Sequence, residues 1–277
     1  MRCFDVQLKD YYCFLGDDNK NPTVSCYLPN NLNEMGRAND KRPSIVICPG
    51  GSYAYCSERE AEPVALNFLR LGFNAFVLNY SCTPHKYPTQ LCEVAATFDL
   101  VCKNADEWNC DSEKIGIAGF SAGGHLAAHY SNAYSCDDVR KVFANSKKPA
   151  FSVLSYPVIS ADESFAHKGS FKNLVGEFPK DAKANQFSCE KLVSSDTPPT
   201  FIWHTAEDQV VPAKNSIVYA GALADNKVPF SLHIYPYGYH GISTCDELTN
   251  NKENLNDKIK ITSNWLNDFK MWIETII

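Results

Sequence analysis

No apolar run in this 277-residue chain approaches the ~20 residues that a bilayer-spanning helix needs. No cluster of Lys or Arg stands out, and the formal net charge is −6, so a nucleic-acid partner is not expected. The segment Met1 to Asp10 lacks the apolar core of a signal peptide, which points to a cytoplasmic protein without a membrane partner. The twelve cysteines include no C-x-x-C pair and no Cys/His ligand spacing, so no metal and no cofactor are expected. They are scattered through apolar patterns, Cys48 in a strand and Cys92 and Cys102 on a helix, where a free thiol acts as a small hydrophobe. Reduced thiols are therefore expected rather than a disulfide framework. No internal repeat or low-complexity linker divides residues 1–277, which read as one domain.

What is present alternates. Val24–Leu28, Ser44–Cys48, Asn74–Tyr80, Lys114–Ala118, Phe151–Tyr156, Thr200–His204 and Phe230–Tyr235 are short apolar runs that read as strands. Between them, helical periodicity predicts helices over Glu58–Leu71, Thr89–Trp108, Pro212–Asp225 and Ile259–Ile277. The alternation predicts an α/β fold, with a mostly parallel central sheet covered by helices on both faces. Sites in such sheets lie beyond the carboxyl ends of the strands.

One such end carries Gly119-Phe120-Ser121-Ala122-Gly123, a G-x-S-x-G between a predicted strand and a predicted helix. That context is a nucleophile elbow, a tight turn that exposes the serine and needs small neighbours. A serine hydroxyl is a poor nucleophile at neutral pH, so it requires a base, and the base requires an orienting acid. The expected chain order is Ser, then Asp or Glu, then His. Beyond the helix that follows Ser121, His204 and His233 fall inside strands and His167 in a polar loop. His240 alone follows a strand end, in Pro236-Tyr237-Gly238-Tyr239-His240-Gly241, and is the expected base.

Glu207 and Asp208 both follow the strand before it. Asp208 is preferred, because Asp-x-Val-Val-Pro sets it just before a helix, where it also suits a capping role. The N–H of Ala122 and those of the glycine-rich loop Cys48-Pro49-Gly50-Gly51-Ser52-Tyr53 are the expected oxyanion donors. Tyr53, Tyr237 and Tyr239 flank these loops and are expected to line an acyl or sugar pocket. His125 and His129 stand four apart on a helix, but the Glu of H-E-x-x-H is absent, so they read as packed residues.

Four stretches together resemble the α/β-hydrolases of the acetyl esterase and xylan esterase-like group, related to hormone-sensitive-lipase-type esterases. They are Ile47–Tyr53, Lys86-Tyr87-Pro88, Gly119–Ala127, and Trp203–Pro212 with Tyr239-His240-Gly241. The resemblance implies carboxylic ester hydrolysis, often removal of acetyl groups from sugars. It implies Ser121 as nucleophile, Asp208 as acid, His240 as base, and Gly51, Ser52 and Ala122 as oxyanion donors. The small-molecule partner implied is an ester, of an acylated sugar or a simple alcohol. Two departures stand out. The usual His-Gly-Gly-Gly loop is Pro49-Gly50-Gly51-Ser52 here, and a long N-terminal cap is missing, leaving residues 160–196 as the candidate lid. A serine peptidase of related fold and a non-catalytic ligand-binding homologue are the alternative readings.

Overall fold

The computed structural model describes residues 1–12 and 21–277. Eight strands form one sheet in the order β1-β2-β4-β3-β5-β6-β7-β8. Strands β3 (Arg42–Cys48), β4 (Asn74–Asn79), β5 (Cys110–Phe120), β6 (Ser152–Ser155), β7 (Thr200–Thr205) and β8 (Phe230–Tyr235) all run parallel to one another. At one edge β1 (Arg2–Gln7) and β2 (Thr23–Leu28) join antiparallel. The strand segments are apolar on both sides because both faces are covered. Val46, Cys48, Phe76, Ile117, Leu154 and Ile202 face α2 (Thr89–Lys103), α3 (Ala122–Ala133) and α8 (Lys214–Asp225). The alternate residues Ile45, Ile47, Ala75, Val153, Phe201 and Trp203 face α1 (Glu62–Arg70) and the C-terminal α9 (Ile259–Thr262) and α10 (Trp265–Ile273). The mostly parallel sheet with helices on both faces agrees with the expected fold class.

Strand β1 went unread in the sequence, because in this edge strand only Val6 is buried and the backbone ladder to β2 carries the pairing. The helix expected to reach Trp108 stops at Lys103. Beyond it the chain turns through Asn109 at φ 53°, and Cys110 N–H donates to Ala105 O at 2.8 Å. Trp108 is apolar for another reason: its ring stacks on Phe76. The expected C-terminal helix is two pieces. Thr262 Oγ1 donates to Tyr237 O at 2.5 Å and Trp265 Nε1 to Ser243 O at 3.1 Å, which ties the junction to the loop after β8. Eleven cysteines fall among the described residues, all as free thiols. Among those residues, no helix is long and apolar enough to cross a membrane.

After α3 comes the short α4 (Asp137–Arg140), and residues 160–196 fold as α5 (Lys168–Val175), α6 (Asp181–Phe187) and α7 (Cys189–Leu192). This segment lies over the carboxyl ends of the strands. Asn173 Nδ2 donates to Ser52 O at 2.9 Å, and Tyr87 N–H to Leu174 O at 2.9 Å.

Candidate active site

Ser121 follows β5 directly and adopts φ 52°, ψ −117°, outside the allowed regions of an L-residue. Such a conformation persists only where its surroundings enforce it. Here Ser121 N–H donates to Ser155 O at 3.0 Å, and Ser121 O accepts from Val158 N–H at 3.0 Å. The turn is also tight against β3: a Cβ on Gly123 would lie 2.1 Å from Cys48 O, and one on Gly119 2.2 Å from Gly123 O.

The side chain of Ser121 meets the ends of two other strands. Its Oγ lies 2.7 Å from Nε2 of His240, on the loop after β8. His240 Nδ1 lies 2.7 Å from Oδ2 of Asp208, on the loop after β7. Asp208 Oδ1 accepts from the N–H groups of Val210 and Val211, each at 2.9 Å. The carboxylate accepts at both oxygens, so His240 Nδ1 must donate, which leaves Nε2 free to accept the serine proton. Burial alone would raise the Asp208 carboxyl. Hydrogen bonds from His204 and His240, the His240 charge and the Val211 N–H outweigh burial and hold it well below the usual carboxylate range. Glu207, the other acid considered, is exposed, and its Oε2 accepts from Gly238 N–H at 3.3 Å.

The loop after β3 reaches the same place. Gly51, Ser52 and Tyr53 run through three consecutive positive φ values, 119°, 58° and 59°. A Cβ at Gly51 would lie 2.1 Å from Tyr55 O, so only glycine fits there. Gly51, Ser52, Ser121 and His240 line one cavity of about 70 Å³, together with Tyr55 and Arg59. Among the described residues, no backbone acceptor takes the N–H of Gly51, Ser52 or Ala122. Volume does not single out this cavity. A hollow of about 510 Å³ beside β1 is larger, but no serine, cysteine or histidine lines it.

The tyrosine expectations need correction. Tyr53 is 1% exposed, and the left-handed turn drives its side chain inward. Its hydroxyl lies 2.8 Å from His125 Nδ1, so it braces the loop from below and is not among the residues lining the cavity at Ser121. Tyr237 and Tyr239 lie in the His240 loop itself but not among the residues that line the cavity. Tyr239 OH bonds Asn250, and Tyr237 carries the Lys258 ammonium 5.0 Å over its ring. The aromatic residue on the wall is Tyr55, 60% exposed. Its position two residues past the glycine-rich loop is the signal the sequence offers.

His125 and His129 are buried in α3. Burial lowers His125 to about 4 and His129 to about 3, so both are neutral. His125 Nε2 donates to Phe187 O at 2.8 Å, and the His129 ring stacks on Tyr87. His167 starts α5 and accepts from Ser170 N–H through Nδ1. Burial, and after it the His240 charge, lower its pKa.

A family model described as BD-FAE matches residues 27–223. An acetylxylan esterase of Xylanibacter ruminicola is 38% identical over 238 residues, covering 84% of this chain and 46% of that protein. An endo-1,4-beta-xylanase B of Butyrivibrio fibrisolvens is 37% identical over 231 residues, covering 80% of this chain and 36% of that protein. The chain thus spans less than half the length of either relative. The solved acetyl ester-xyloside bifunctional hydrolase from Caldicellulosiruptor lactoaceticus superposes with a TM-score of 0.84 at 35% identity, covering 99% of this chain and 97% of that one.

Proposed function

The chain belongs to the BD-FAE family and has the α/β-hydrolase fold, and from that premise we propose that it is a serine carboxylic-ester hydrolase for short acyl esters. The observation that carries the reading is the continuous hydrogen-bonded chain Ser121 Oγ, His240 Nε2, His240 Nδ1 and Asp208 Oδ2, with both links at 2.7 Å. His240 takes the Ser121 proton as Oγ attacks the ester carbonyl. The N–H groups of Gly51, Ser52 and Ala122 receive the tetrahedral oxyanion. His240 then protonates the leaving alcohol, leaving an acyl-serine. Water, deprotonated by His240, attacks that acyl group, and collapse of the second intermediate returns the proton to Ser121. Asp208 stays ionised throughout and stabilises the imidazolium.

The acyl group is small. A cavity of about 70 Å³ favours acetyl over longer chains, being far below the ~300 Å³ at which drug-sized sites begin. The alcohol is a sugar or a xylan-derived oligosaccharide, a reading supported by the acetylxylan esterase and acetyl ester-xyloside hydrolase likeness. Tyr55 offers an exposed ring at the cavity mouth for a sugar face. The segment 160–196, bonded to the Ser52 carbonyl through Asn173, is the proposed lid of a chain that acts as one domain.

Ser121→Ala is the test. Turnover of p-nitrophenyl acetate and of acetylated xylooligosaccharides falls by at least three orders of magnitude, and a fluorophosphonate no longer labels the protein. Hydrolysis at the wild-type rate in that variant overturns the reading.

A further inference from the structure

Glu60 is a second acid at the site, one that no sequence pattern singles out. It is 2% exposed, lies just before α1 and lines the cavity shared by Ser121 and His240. Its Oε2 accepts the Gly50 N–H at 2.8 Å, and its Oε1 accepts the Tyr156 hydroxyl at 2.7 Å. Tyr156 oxygen in turn accepts the Ser243 N–H at 3.1 Å, so the phenolic proton points to Glu60. Both carboxylate oxygens therefore face donors, the pattern of an ionised group. The fit is close, since a Cβ on Gly50 would lie 2.6 Å from Glu60 Oε2 and 2.9 Å from Ser121 Cβ.

These bonds join two parts of the site that the chain order separates. Gly50 precedes the donors Gly51 and Ser52. Ser243 sits three residues after His240, and its Oγ donates to Arg59 O at 2.6 Å. Tyr156 packs edge-on against the His240 ring, with centroids 5.2 Å apart. We infer that Glu60 is a positioning residue for the proposed hydrolysis, which fixes the oxyanion-donor loop against the His240 loop and supports the charge that develops on His240. The inference rests on the ester-hydrolase reading.

Burial raises the Glu60 carboxyl above the ordinary range, while the bonds from Tyr156 and Gly50 and the charges of His240 and Arg59 oppose that rise. The charged and titratable groups around the pair are Arg59 beside Glu60, Tyr156 between them, Asp208 bonded to His240 Nδ1, and His167, whose pKa the His240 charge lowers. A negative Glu60 supports the positive charge that develops in the transition state, so its removal displaces the acid limb of the kcat/KM profile to lower pH.

The experiment compares the wild type, Glu60→Gln and Tyr156→Phe on p-nitrophenyl acetate across pH, with Ser121→Ala as reference. Glutamine keeps the size of the side chain, but only one of its terminal atoms accepts. The expected result for Glu60→Gln is a kcat lower by 10- to 100-fold, KM within twofold, and an acid limb of the kcat/KM profile displaced to lower pH. Tyr156→Phe leaves Glu60 in place and removes one link, so kcat falls by about tenfold with the acid limb unmoved. A merely structural Glu60 does not shift the limb. A kcat within twofold of wild type in either variant, or an unmoved limb in Glu60→Gln, overturns the inference. If Ser121→Ala keeps its activity, the ester-hydrolase reading itself has failed, a result independent of Glu60.

Discussion

Asp208→Asn probes the geometry most directly, because the surrounding hydrogen bonds dictate how the amide must sit. Asp208 Oδ1 accepts two backbone N–H groups and Oδ2 accepts His240 Nδ1–H. An asparagine offers one oxygen and one NH₂. If the NH₂ faced Val210 and Val211, two N–H donors would lose their acceptor, at about 1–3 kcal/mol each. If instead it faces His240, the imidazole changes tautomer and only the long 3.4 Å contact of Oδ2 with His204 Nε2 is lost. The second arrangement wins. Nδ1 then accepts, Nε2 carries the hydrogen, and the ring can no longer take the Ser121 proton. The expected loss in kcat is about 10⁴-fold, as in triads where the same exchange imposes the wrong tautomer. That corresponds to about 5 kcal/mol of transition-state stabilisation. KM and the urea midpoint change little, because the two backbone bonds survive. The assay is steady-state hydrolysis of p-nitrophenyl acetate beside a urea titration. A kcat within tenfold of wild type refutes the tautomer argument.

Tyr53→Phe separates a buried brace from a substrate contact. It strips the donor from His125 Nδ1, so stability falls by about 1–2 kcal/mol in urea titration while KM for acetyl esters stays put. A tenfold rise in KM at unchanged stability restores Tyr53 as a pocket residue. The buried histidines of α3 predict a pH effect on stability. Their folded pKa values, about 4 and about 3, lie below the ordinary 6.5, so the unfolded chain binds the protons first. Their stability contribution is full above pH 6.5 and is lost as pH falls toward the folded values. Between pH 7 and pH 5 each costs about 2 kcal/mol. His129→Phe, stacked on Tyr87, removes one share, so urea midpoints at the two pH values draw closer together. An unchanged gap contradicts the assignment.

The nucleophile elbow was legible because it is local. A glycine-flanked serine between a buried strand and a helix leaves one backbone solution, and the observed φ of 52° at Ser121 is that solution. Asp208 and His240 were legible for a topological reason. Parallel strands deliver their following loops to one edge, so residues far apart in sequence meet there. The glycine loop was found by the same rule, although its Pro-Gly-Gly-Ser form departs from the family pattern.

The sequence by itself determined the alternation of strands and helices, and with it the edge on which the site must lie. It also singled out Ser121, Asp208 and His240 as the candidates that the proposed function rests on. The tertiary structure alone decided which way loop side chains face. Three positive φ values in a row turn Tyr53 beneath the loop and leave Tyr55 on the wall. It alone brought Glu60 into the site, because a carboxylate in the first turn of the helix expected over Glu58–Leu71 reads as solvated until Gly50 and Tyr156 close on it. A strand's direction follows from the periodicity of its own residues, whereas the direction of a loop side chain follows from neighbours distant in the chain.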